Sequence, residues 1–172
     1  MKSIVLATIL LVVNIGLFAQ HEQFTPIESA DFIKYFTVHS PDEGPGTDYF
    51  GTLLLRLHLK NRVEPFAVNE NDSKQIPLVL KQTGSRFGIK DHNYKFTFSF
   101  PSNATWKKGN ANLTLFVNNE LIKSYNQEIN KEDEVWIFFI ISSFNTFEME
   151  GFGRVVDFLN KDIMIKRKLI SN

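Results

Sequence analysis

Hydrophobic and polar positions alternate along much of this chain with the period of two that marks β-strands. One stretch departs from that alternation, Val135-Trp136-Ile137-Phe138-Phe139-Ile140-Ile141. It is apolar on both faces of the strand it forms, so both faces need cover and it belongs at the centre of a packed core. Phe50 to Lys60 reads as a half-buried strand. Leu53, Leu55, Leu57 and Leu59 share one face, while Leu54, Arg56, His58 and Lys60 share the wet one. Tyr94 to Phe100 is the clearest alternation, with Tyr94, Phe96, Phe98 and Phe100 on one side and Lys95, Thr97 and Ser99 on the other.

Further strands are predicted over Phe32–His39, over Val63–Val68 with a break at Pro65, and over Ile76–Leu80, Leu113–Val117 and Glu120–Asn126. Asn118-Asn119 suits a tight hairpin turn, because asparagine tolerates positive φ, and would pair Leu115 with Ile122. Asn69–Ser73 reads as a polar turn, Ser40–Thr47 as a Pro/Gly loop and Asn130–Glu134 as a charged connector. Near the C-terminus two readings compete. Phe152, Val155, Val156 and Leu159 fit one short helix, whereas Arg154–Phe158 and Ile163–Leu169 fit a hairpin turning at Asn160-Lys161-Asp162. Gly151 and Gly153 disfavour the helix start, which tips the balance to the hairpin.

About seven to nine short strands separated by turn signals imply an all-β domain, an antiparallel β-sandwich, with a β-barrel as the alternative. Leu113-Thr-Leu-Phe-Val-Asn-Asn-Glu-Leu-Ile, followed by Val135-Trp-Ile-Phe-Phe-Ile, resembles the later strands of bacterial immunoglobulin-like modules. That resemblance implies an immunoglobulin-like sandwich. The cysteines and the buried-tryptophan spacing of true immunoglobulin domains are missing from the chain.

The first residues carry a different signal. Lys2, an apolar run from Ile4 to Val13, and the Leu17-Phe18-Ala19 exit form a signal-peptide pattern, with cleavage expected after Ala19. The expected organisation is a leader over residues 1–19, a flexible arm over 20–30 and a single domain over 31–172. No membrane span is expected after leader removal, since a spanning helix needs about 20 apolar residues. An exported chain without cysteine fits the bacterial periplasm, cell surface or secreted space.

Composition narrows the chemistry. Of 172 residues, 17 are phenylalanine against two tryptophans and four tyrosines, a core-heavy load. The 19 basic and 19 acidic residues balance, which removes the field of a nucleic-acid binder. With no cysteine, thiolate nucleophiles and cysteine–metal sites are excluded. The histidines His21, His39, His58 and His92 have no metal-ligand spacing and read as surface or partly buried imidazoles. Gly-x-Ser-x-Gly is absent, and Gly151-Phe152-Gly153-Arg154 is too short for a dinucleotide loop, so no catalytic residue, metal or cofactor is assigned.

What remains is recognition. Trp106 and Lys107 fall in a polar loop where an indole can stand exposed, and Tyr49 and Phe50 follow the Pro/Gly loop. These residues are the expected binding positions of a secreted or periplasmic, non-catalytic module that takes protein or glycan through its loops. One alternative is a β-barrel carrier of an apolar ligand, lined by the phenylalanines. The other is a carboxylate-dependent glycoside hydrolase using Glu148 or Glu150, which would lie on one strand face about 7 Å apart.

Overall fold

The doubly apolar stretch forms the strand β6 (Val135–Asn145), and the sheet grows outward from it. β6 runs antiparallel to β2 (Asp48–Leu59) on one side and to β7 (Glu150–Asn160) on the other. Beyond β7 come β5 (Gly109–Val117), β4 (Tyr94–Ser102) and the two-residue β3 (Phe66–Ala67), while β1 (Thr25–Ile27) lies outside β2. These strands hydrogen-bond into one seven-stranded sheet in the order β1-β2-β6-β7-β5-β4-β3. This description comes from a computed structural model and covers residues 21, 23–27, 48–102, 109–145 and 148–166.

The chain is mostly β, but the sheet is mixed where an antiparallel one was expected. β1 runs parallel to β2, and β5 runs parallel to β7. β5 does not fold straight back as a hairpin. A helix carries the chain from β5 to β6, and β7 then inserts between them, with its direction fixed by its antiparallel pairing with β6.

Alternate residues of β6 feed different cores, which is why the strand is greasy throughout. Val135, Ile137, Phe139 and Ile141 join Leu55, Leu57, Phe96, Phe98, Leu113 and Leu115 on the first face. Trp136, Phe138 and Ile140 join Phe24, Leu159 and Met164 on the second. A smaller cluster on that second face holds Phe116 against Ile76, Val79 and Leu80. On the first face the phenylalanines are packed rather than spread around a hollow. Phe96 meets Tyr125 edge-on at 5.5 Å and Phe158 at 5.6 Å.

Two predicted strands are helices. Ile76–Leu80 lies inside α1 (Glu70–Gln82), and Asn69–Ser73, expected as a turn, is that helix's cap and first turn. Asn69 Oδ1 accepts the Asp72 N–H at 3.0 Å, and Asp72 Oδ2 accepts the Asn69 N–H at 2.8 Å. This reciprocal cap starts the helix strongly enough to tolerate Pro77 in its interior, which has no N–H to donate to the preceding turn. Glu120–Asn126 lies inside α2 (Asn119–Glu128), where Asn118 caps the helix instead of turning a hairpin. Its Oδ1 accepts the Leu121 N–H at 2.9 Å, and Ile122 and Tyr125 fall inward at helical spacing.

Val63–Val68 contributes only the Phe66–Ala67 pair, because Pro65 has no N–H for the ladder. At the C-terminus the strand reading of Arg154–Phe158 holds within β7, and the short helix over residues 152–160 does not. The expected return strand from Ile163 is instead α3 (Lys161–Lys166), started by Asn160, whose Oδ1 accepts the Ile163 N–H at 3.0 Å. Within the segment expected as a flexible arm, His21, Phe24 and Ile27 pack inward while Gln23, Thr25 and Pro26 are exposed. Phe24 and Ile27 are buried, and Phe24 meets Phe138 edge-on at 5.5 Å. The leader and the expected strand Phe32–His39 lie outside the described residues.

β7 carries its glycines where β6 comes closest. A Cβ built on Gly153 would sit 2.4 Å from the Ile140 carbonyl oxygen, and one on Gly151 would sit 2.8 Å from the Phe144 ring. The ladder between β6 and β7 slips register on both sides of this contact, between Phe138 and Phe139 and between Ile141 and Ser143. Gly153→Ala must therefore move backbone, and it should cost about 2–3 kcal/mol, the upper range for overpacking. Urea unfolding checks this, and a Gly153→Ala variant as stable as the parent would contradict the close approach.

Candidate functional site

Cross-strand partners share a face, so the register lets the second face be read row by row. Lys95, Phe116, Arg154 and Ile140 form one row. Thr97, Thr114, Phe152 and Ser143 form the next, and Ser99, Asn112, Glu150 and Asn145 the one after. Across four strands, hydroxyl, amide and carboxylate side chains, with Phe152 among them, replace the mostly apolar ones of the covered part of this face. Thr97, Ser99, Asn112 and Glu150 are exposed, whereas Thr114, Phe152 and Asn145 are half-buried.

α1 borders these rows without covering them. A cleft of about 300 Å³ separates Asn71 and Gln75 on the helix from Asn112, Thr114, Glu150 and Phe152 on the sheet. The helix is held at this border by Asp72, whose Oδ1 accepts from Lys95 Nζ at 2.7 Å while its Oδ2 takes part in the cap. That pair is largely buried, with side-chain exposures of 16% for Lys95 and 10% for Asp72, so it acts as a fixed strut. Glu150 is the opposite case: its exposed carboxylate makes no hydrogen bond or ion pair with any described residue. Phe152 packs against the α1 cluster and also lines the cleft.

This set of groups can donate to and accept from a polyol through amides and hydroxyls, with an aromatic ring beside them for a sugar face. It does not supply an acid and a base. Both oxygens of Asp72 are engaged, which leaves Glu150 alone. Glu148 does not share a strand face with Glu150 as expected. Its N–H donates to Asn145 Oδ1 at 2.7 Å in the turn, and Met149 (φ 61°) redirects the chain before β7 begins.

Of the expected binding residues, Trp106 and Lys107 lie outside the described residues. The strands that their connection joins pair at Ser102 and Gly109, three residues past the Ser99–Asn112 pair and so about 10 Å along the sheet. Tyr49 and Phe50 are described by backbone alone, which the register sets opposite Phe144 and Ser143.

Two histidines, His21 and His92, are buried rather than at the surface, His58 is exposed as expected, and His39 lies outside the described residues. His21 is 3% exposed, its Nε2 lies 2.6 Å from Asp157 Oδ2, and its ring meets Phe138 at 4.6 Å. His58 stacks on Trp136 at 4.1 Å, and its Nε2 lies 2.9 Å from Glu134. Lys161 reaches the other Glu134 oxygen at 2.8 Å; chiefly this bond, with help from His58, holds the Glu134 carboxyl below its ordinary range. These pairs fasten the N-terminal segment and α3 to the second face. Among the described residues no group of three potential metal ligands gathers.

His92 is buried, and its Nδ1 donates to the Gly88 carbonyl at 2.9 Å. Burial pushes its pKa down and the Arg154 charge adds to this, outweighing the Gly88 carbonyl and Asp91. A folded pKa below the ordinary 6.5 means that the unfolded chain binds the proton first on acidification. The stability His92 contributes is therefore full above about pH 6.5 and lost as the pH falls below it. Urea unfolding across this range should show wild type losing stability relative to His92→Gln as the pH drops. A constant difference between the two would contradict it.

No family model matches the chain, and no curated protein or solved structure matches it significantly.

Proposed function

We propose that this chain is an exported, non-catalytic β-module, sandwich-like in build, that binds a glycan on the polar end of its sheet. The observation that carries this reading is the Ser99–Asn112–Glu150–Asn145 row with its cleft against α1. Side-chain amides and hydroxyls at sheet spacing match the hydroxyl spacing of a sugar chain better than they match an apolar ligand. The leader pattern supports export to the periplasm, the cell surface or the medium. Trp106 and Lys107, in the connection beyond Ser102, are proposed as further contributors.

The alternatives have less support. An apolar carrier needs an empty interior, whereas Phe96, Phe98 and Phe100 belong to the same core as Leu55 and Leu57. A hydrolase needs two free carboxylates across a cleft, and Asp72 is already committed to Lys95 and the helix cap. A protein partner is favoured by one observation: Phe66, Ile89 and Tyr94 are 57%, 49% and 37% exposed. They lie toward the opposite end of β4 from the polar rows.

A glycan array probed with the exported chain should retain it on neutral oligosaccharides without cleaving them. Asn112→Ala and Glu150→Gln should each weaken binding by about tenfold, the size of a lost hydrogen bond to a charged or buried group, and leave thermal stability unchanged. Retention on no glycan, or retention indifferent to both substitutions, would overturn the reading.

A further inference from the structure

A second cleft brings two arginines, Arg86 and Arg154, to one wall, against a single carboxylate, Glu120. It opens where β5 ends at Val117 and β7 runs on, between the loop after α1 and the start of α2, and measures about 270 Å³. Arg154 and Arg86 both line it. Arg154 is half-buried and held rigidly: its Nε donates to Thr83 Oγ1 at 2.8 Å and its Nη2 to the Thr83 carbonyl at 3.0 Å. These bonds anchor the guanidinium at the C-terminal end of α1, and among the described residues Nη1 meets no acceptor. Arg86 lies over the Phe87 ring at 5.2 Å, which steadies a side chain that is otherwise exposed. Among the described residues no carboxylate pairs with either arginine.

Neutral donors complete the set. Asn118 is 4% exposed and lines the cleft; its Oδ1 is engaged in capping α2, while its Nδ2 donates to no described residue. Ser124 also lines the cleft, one turn along the helix from Leu121. Glu120 also lines the cleft and is its one opposing charge. The Thr83 carbonyl and the C-terminal end of α1 offset part of the Arg154 charge, and the edge of the guanidinium that they leave open can take an anion as well.

We propose that this cleft binds a tetrahedral oxyanion of the phosphate class, with Arg154 and Arg86 as its charged ligands and Asn118 Nδ2 and Ser124 Oγ as neutral donors. The guanidinium fork matches two oxygens of such an anion, and the neutral donors line the same cleft. The site is separate from the polar rows, so it does not depend on glycan binding there. The anion is either free phosphate or the phosphate of a monoester such as a sugar phosphate.

Titration of the whole chain with inorganic phosphate at low ionic strength, followed by amide NMR, tests this against sodium chloride at matched ionic strength. Saturable shifts at Asn118–Leu121 and Arg154 are expected with phosphate and not with chloride. Arg86→Ala should weaken binding by about tenfold or more, in line with loss of one charge-assisted contact, and Glu120→Gln should tighten it. Arg86 is exposed, so its variant keeps the fold even if Arg154→Gln does not. Tighter binding of glucose 6-phosphate than of phosphate identifies a monoester ligand, and the reverse order identifies the free anion; both uphold the site. Phosphate shifts no larger than those of chloride, or binding by Arg86→Ala equal to wild type, would overturn it.

Discussion

A strand that is apolar at every position needs two covers, and that requirement shapes this molecule. β6 sends Val135, Ile137, Phe139 and Ile141 to one face and Trp136, Phe138 and Ile140 to the other. An edge position, or a sheet with one wet face, would expose one of those sets, at about 1.5–3 kcal/mol for each large side chain left in water. β6 therefore sits inside the sheet, with β2 and β7 supplying its hydrogen-bond partners. The covers follow: α2 on the first face, and α1, α3 and the segment around Phe24 on the second.

The second face also shows where cover stops. Helices protect its aliphatic rows, and past the Arg154 row the side chains turn to threonine, serine and asparagine. A surface of that composition is stable in water without a lid, so it is free to meet a ligand. The same transition leaves Arg154 at the boundary, half in the α1 contact and half in a cleft. Both proposed sites are consequences of where the helices end on one sheet.

Strands with strong alternation were legible in the sequence: β2, β4 and β6 are where the period of two and the double-faced run placed them. The helices were not. Pro77 made Ile76–Leu80 look like a strand, and only the spacing of Asn69 to Asp72, followed by Ile76, Val79 and Leu80, signals a capped helix instead. Asn118-Asn119 carried two meanings, hairpin turn and helix cap, and local chemistry does not choose between them. The tertiary pull of Tyr125 decides, since its ring packs on Phe96 and Phe158 and its hydroxyl donates to the Val63 carbonyl at 2.8 Å. The polar rows were invisible for another reason. Ser99, Asn112, Asn145 and Glu150 are scattered in sequence and meet only through strand register, parallel between β5 and β7, which no local pattern encodes.

If β6 is the strand on which everything else is laid, its amides should be the last to open. Native-state hydrogen exchange measures this directly. Amides of Val135 to Ile141 should exchange only with the free energy of global unfolding, and those of α1, α3 and the outer strands should exchange at lower cost. Protection in α1 or β4 that outlasts protection in β6 would contradict a sheet organised from its doubly covered strand.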